Sequence, residues 1–96
     1  MPLFAIIGRD GPRGLELRKL HRQAHLANLE PLEREGRIRY AGPLLDAAGT
    51  PCGSLIVLEQ ASREDALGVA ARDPYVTQGI FASHEVIETR QVFPKS

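Results

Sequence analysis

The chain has 96 residues, 43% of them hydrophobic and 25% charged, and its 12 basic and 12 acidic side chains leave a formal net charge of zero. That length fits one domain spanning residues 1–96, and the charge balance gives no footing for nucleic acid or for electrostatic attachment to a membrane. A single cysteine, Cys52, rules out an internal disulfide and points to a reducing compartment.

Residues Leu3–Ile7 form a continuous apolar run closed by Gly8 and Gly11-Pro12, which predicts a first strand buried on both faces. Met1 to Arg9 lacks the basic lead and the length of a signal peptide. No segment reaches the roughly 20 apolar residues of a membrane span, so the expected location is the cytoplasm.

Leu15 to Glu35 is helix-rich in composition. At about 100° per residue, Leu17, Leu20, Ala24 and Ala27 fall on one stripe, which is the expected buried face. Pro31 is expected to kink the helix or end its first segment, with Gly36 as the C-terminal cap.

Arg37–Ala41 alternates polar and apolar residues and predicts a strand with one wet face, broken at Gly42-Pro43. Leu44-Leu45 can extend its pairing. Asp46–Gly53 reads as a loop and Ser54–Glu59 as a third strand, apolar on both sides. Ser62 to Asp65 fits a capping box, opening a helix that stops near Arg72. Asp73-Pro74 is an N-cap followed by proline at the first helical position, so a short helix should run to Gln78 or Gly79. His84–Phe93 reads as the last strand.

The order is β-α-β-β-α-β, an α+β ferredoxin-like arrangement with a four-stranded antiparallel sheet and both helices on one face. Strands one and three are oily on the second face as well. A second copy packed sheet to sheet is the expected cover, giving a homodimer.

His21 and His25 lie four apart on the first helix, beside Arg18 and Arg22. The basic residues of this helix crowd its N-terminal half and the acidic ones its C-terminal half, the reverse of what a helix macrodipole favours. Two readings stand: an anion held there, or exposed charges whose cost is small. No HExxH pattern and no third ligand mark a metal site. Asp73 caps a helix on one reading and pairs with His25 as a general acid/base dyad on the other. Gly42, Pro43, Gly53 and Ser54 flank the long loop, as close-approach or plain turn residues. Ser54 lies outside any G-x-S-x-G elbow. Cys52 is expected on a loop, His84 on the surface, and Tyr40 and Tyr75 packed with their hydroxyls free to reach a pocket.

Arg22-Gln23-Ala24-His25-Leu26, Gly36, Ala41-Gly42-Pro43-Leu44, Gly53-Ser54 and Ala71-Arg72-Asp73-Pro74-Tyr75, in this order and spacing, resemble the YciI-like family. The opening Phe4-Ala5-Ile6 and closing Arg90-Gln91-Val92-Phe93 are similar to it too, so the likeness covers nearly the whole chain. The resemblance implies a dimeric α/β barrel and an active site around His25 and Asp73. It implies cofactor-independent acid/base chemistry on a small, anionic organic molecule. On that reading Arg22 and Arg18 hold the anionic group, Ser54 or Tyr75 donates a hydrogen bond, and Gly42 and Pro43 line the pocket. The alternative is a non-catalytic dimer that binds a small ligand or serves as a structural module.

Overall fold

A computed structural model describes residues 1–95. The elements in chain order are β1 (Leu3–Asp10), α1 (Gly14–Arg34), β2 (Ile38–Leu45), β3 (Pro51–Glu59), α2 (Arg63–Arg72), α3 (Pro74–Thr77) and β4 (Phe81–Thr89). The four strands form one antiparallel sheet in the order β2-β3-β1-β4. This is the ferredoxin-like α+β fold expected from the sequence.

The register explains the core. Phe4 lies opposite Leu58, and Ile6 opposite both Ile56 and Val86, so these five side chains share one face of the sheet. Leu29 of α1 and Ala66, Val69 and Ala70 of α2 close over them. A second cluster of Tyr75, Ile80 and Phe81 fills the end of the sheet beyond Gly8. A methyl group on Gly8 would fall 2.4 Å from the Phe81 ring, so only glycine leaves that ring its place. The other face carries Leu3, Ala5, Ile7, Leu55 and Val57, half-buried, with Ile87 exposed beside them. Among the described residues nothing covers it. Among the described residues no helix is long and apolar enough to cross a membrane.

Several boundaries differ from expectation, each for a local reason. β2 runs unbroken through Gly42-Pro43 because it is an edge strand, where a missing N–H can face outward without breaking the ladder. β3 begins at Pro51, opposite Leu45. The intervening turn is tied by the Asp46 carboxylate, which accepts from the N–H groups of Ala48 and Thr50. Cys52 therefore sits exposed on a strand and not on a loop. β4 is shifted towards the N-terminus: it starts at the buried Phe81 and ends at Thr89, the partner of Leu3, beyond which β1 offers nothing to pair with. α1 continues through Pro31 to Arg34, with Leu32 of that last turn packed on the core.

The largest difference lies on α1. Its buried residues are Gly14, Arg18, His25 and Leu29. The buried face is rotated by about 135° from the apolar stripe, counted at about 100° per residue. Leu20 is 72% exposed, and Ala24 and Ala27 are exposed too. Two polar residues occupy core positions because each has a buried partner on another element, and satisfied polar groups can be buried. Tyr40, expected to pack, is 52% exposed.

Candidate functional site

The polar side of α1 meets the sheet and α3 in two connected clusters. The first centres on Asp73, the residue between α2 and α3. Its backbone N–H donates to the Ala70 carbonyl at 3.1 Å, closing α2. Its side chain accepts from the Tyr75 N–H at 2.9 Å, opening α3. The same carboxylate receives His25 Nδ1, 2.8 Å from each oxygen. Capping and pairing, posed as alternatives by the sequence, are performed together. A carboxylate facing two donors can only accept, so Nδ1 of His25 carries a proton, and in the neutral imidazole the lone pair is on Nε2. The imidazole also lies flat on the Tyr75 ring, with centroids 3.9 Å apart and planes within 1°.

The second cluster centres on Arg18. Its guanidinium donates to Asp10 through Nε at 2.6 Å and Nη2 at 2.9 Å, a bidentate fork. Nη2 also donates to Ser54 Oγ at 3.0 Å. The two clusters join through Tyr75, whose hydroxyl donates to the Arg18 backbone carbonyl at 3.3 Å while its ring lies 5.0 Å below the Arg18 guanidinium. Burial pushes the Tyr75 phenol above its ordinary range, with the Arg18 charge opposing that rise.

Both clusters border one cavity of about 480 Å³ between α1 and the β2–β3 half of the sheet. Arg18, Arg22, His25, Gly42, Pro43, Ser54 and Tyr75 all line it, with apolar wall supplied by Leu15, Leu26, Leu29, Ile56 and Pro51. Asp73 stands behind His25 and does not line it. Arg22 and Lys19 are exposed at the mouth. Two roles shift relative to expectation. Tyr75 contributes its ring, since its hydroxyl is already committed to a backbone carbonyl. Arg18 is charge-paired inside the protein, which leaves Arg22 as the exposed arginine at the mouth.

Asp10 was not singled out in the sequence. The available signals were an acid ending an apolar strand and the reversed charge order of α1. The anion that this order accommodates is internal: a methyl group on Gly14 would fall 2.5 Å from the Asp10 carboxylate, which is therefore pressed against the first turn of α1. His21 is half-buried outside the cavity, and His84 is exposed on β4. Among the described residues no group of three His, Cys, Asp or Glu is placed to hold a metal.

The YCII-related domain matches residues 2–90. The chain belongs to this family. Protein YciI of Escherichia coli O6:H1 is 39% identical over 98 residues, covering 95% of this chain and 99% of its own. An uncharacterized Haemophilus influenzae protein is 33% identical over 96 residues, covering 94% and 98%. Among solved structures, 5-chloro-2-hydroxyhydroquinone dehydrochlorinase from Burkholderia phenoliruptrix, in complex with 2,5-dihydroxybenzoquinone, matches with a TM-score of 0.82 at 32% identity over 92% of this chain and 93% of that one. An antibiotic biosynthesis monooxygenase homologue from Nitrosomonas europaea has a TM-score of 0.60 at 15% identity, covering 97% and 100%, which is likeness of fold alone.

Proposed function

We propose that this YCII-family chain is a cofactor-independent acid/base catalyst acting on a small, anionic, oxygen-bearing ring compound. The observation that carries the reading is the orientation of His25. Its Nδ1 is held by Asp73 while the ring borders the cavity, so Nε2 is the nitrogen left to take or give a proton. The cavity volume of about 480 Å³ suits a small organic ligand. Its walls are mostly apolar, which favours proton transfer away from bulk water. Arg22 at the mouth supplies positive charge for an anionic substituent.

In an elimination, Nε2 would accept a proton from the substrate. The electron pair left behind would form a double bond as an anionic leaving group, such as chloride, departs with its bonding pair. Asp73 would stabilise the imidazolium so formed. The dehydrochlorinase relative makes this reaction class the first to try, and isomerisation uses the same first step.

A companion element of the reading is assembly. The uncovered apolar face of the sheet is proposed to pack on the same face of a second copy, as the strand composition first suggested.

The test is turnover against a panel of small phenols and carboxylates that includes 5-chloro-2-hydroxyhydroquinone. His25→Ala should lower kcat by about 10²–10⁴-fold, the range for loss of a general acid/base. Asp73→Asn should also slow it, by unsettling the tautomer. Full activity in both variants would end the mechanism. Saturable binding with no turnover in the wild type would instead assign the cavity to ligand carriage.

A further inference from the structure

We propose that Asp10 is a positioning residue that silences the charge of Arg18 and leaves the Ser54 hydroxyl as a neutral donor to an oxygen of the bound molecule. Selection for negative charge then belongs to Arg22 at the mouth. The inference rests on the cavity being the binding site and adds which end of the ligand meets which group.

Three observations carry it. First, the Arg18 and Asp10 side chains are only 11% and 7% exposed, and they meet through two hydrogen bonds. A buried pair of opposite charges this close presents a small net field to the cavity beside it. Second, Ser54 is buried, lines the cavity and accepts from Arg18 Nη2. A hydroxyl that accepts still has one proton to donate. Among the described residues no protein acceptor takes it, so it is available to whatever fills the cavity. Third, the arrangement is locked. Gly14 gives Asp10 its place against α1, and the Arg18 guanidinium sits over the Tyr75 ring, 5.0 Å from its centroid. Arg18 cannot swing towards an incoming anion without leaving its own carboxylate unpaired.

The site therefore suits a molecule with a phenol or carbonyl oxygen at the Ser54 end and a carboxylate or phenolate at the Arg22 end. Calorimetry with 4-hydroxybenzoate and 4-hydroxybenzamide, which differ by one charge, reads this directly. Wild type should prefer the carboxylate, and Arg22→Gln should abolish that preference. Asp10→Asn frees the Arg18 charge and should raise the carboxylate-to-amide affinity ratio by about tenfold, the size of one charge-assisted hydrogen bond. Ser54→Ala should weaken both probes by a similar factor. An Asp10→Asn ratio within about twofold of wild type, measured on folded protein, would overturn the proposal.

Should Asp10→Asn fail to fold, the double variant Asp10→Asn/Arg18→Gln decides. A silent pair can lose both charges and leave the ratio unchanged. A fall in carboxylate preference would show that Arg18 reads the charge and would overturn the proposal. These readouts need no turnover. A shifted ratio in a protein that catalyses nothing keeps this inference and removes the catalytic one, whereas failure of wild type to bind either probe removes this one.

Discussion

The imidazole of His25 lies parallel to the phenol of Tyr75, 3.9 Å between centroids, while the Tyr75 N–H and His25 Nδ1 share one carboxylate, that of Asp73. Stacking fixes the plane of the ring, and the carboxylate fixes its rotation within that plane. Nε2 is thereby aimed by two interactions of different kind, and each can be removed separately.

Tyr75→Phe keeps the stack and deletes the hydroxyl. Loss of the bond to the Arg18 carbonyl should cost about 0.5–1.5 kcal/mol. The cost should depend on pH. Burial raises the Tyr75 pKa above its ordinary 10.0, so the folded state holds this proton more tightly than the unfolded state does. The contribution is fully present below the unfolded value and is lost as pH rises through the folded one. Urea denaturation from pH 8 to 11 should show the stability gap between wild type and Tyr75→Phe narrowing above pH ~10.

Asp73→Ala should destabilise more than a lost cap alone. The cap contributes about 1 kcal/mol, and stranding the buried His25 donor adds about 1–3 kcal/mol. His25→Ala leaves the Tyr75 N–H bonded and keeps the cap. In the double variant the stranding penalty should vanish, so the two single costs should exceed the double one. Strict additivity in urea midpoints would argue against a coupled pair.

Asp10→Ala leaves Arg18 charged, buried and unpaired. A loss of about 3–5 kcal/mol is expected, the usual consequence of breaking a buried pair from one side. Gly14→Ala should injure the same pair sterically and cost about 1–3 kcal/mol. The Arg13–Glu16 pair, exposed at the start of α1, is the control, and its removal should leave the thermal midpoint where it was.

Val57→Asp places a charge in the middle of the uncovered sheet face, beside Ala5. Sedimentation should find wild type as two copies and this variant as one. Wild type sedimenting as a single copy at micromolar concentration would rule out the assembly.

Much of the fold was legible because its signals are local. Ser62 caps α2 by accepting from the Asp65 N–H, and Asp73-Pro74 opens α3, both as their side-chain chemistry dictates. The apolar runs in β1 and β3 marked the sheet, and the element order gave its topology. The buried face of α1 was not legible. A wheel scores hydrophobicity, and Arg18 and His25 are buried for partners 8 and 48 residues away. Asp10 escaped for the same reason: its importance lies in Arg18 and Gly14, not in any motif of its own. The pairing of His25 with Asp73 came from family likeness, since spacing alone left it open. Strand ends failed where pairing partners, and not composition, set them, as at Phe81 and Thr89.

The double service of Asp73 sets a constraint on redesign. One side chain holds the corner between two helices and also steers a nitrogen that borders the cavity. Any replacement chosen to retune that nitrogen will loosen the corner, and any replacement chosen to stiffen the corner will detune the nitrogen. Redesign of the cavity for a new ligand should therefore leave position 73 untouched and draw its gains from Lys19, Arg22 and Leu26, exposed side chains that can change without unsettling the scaffold.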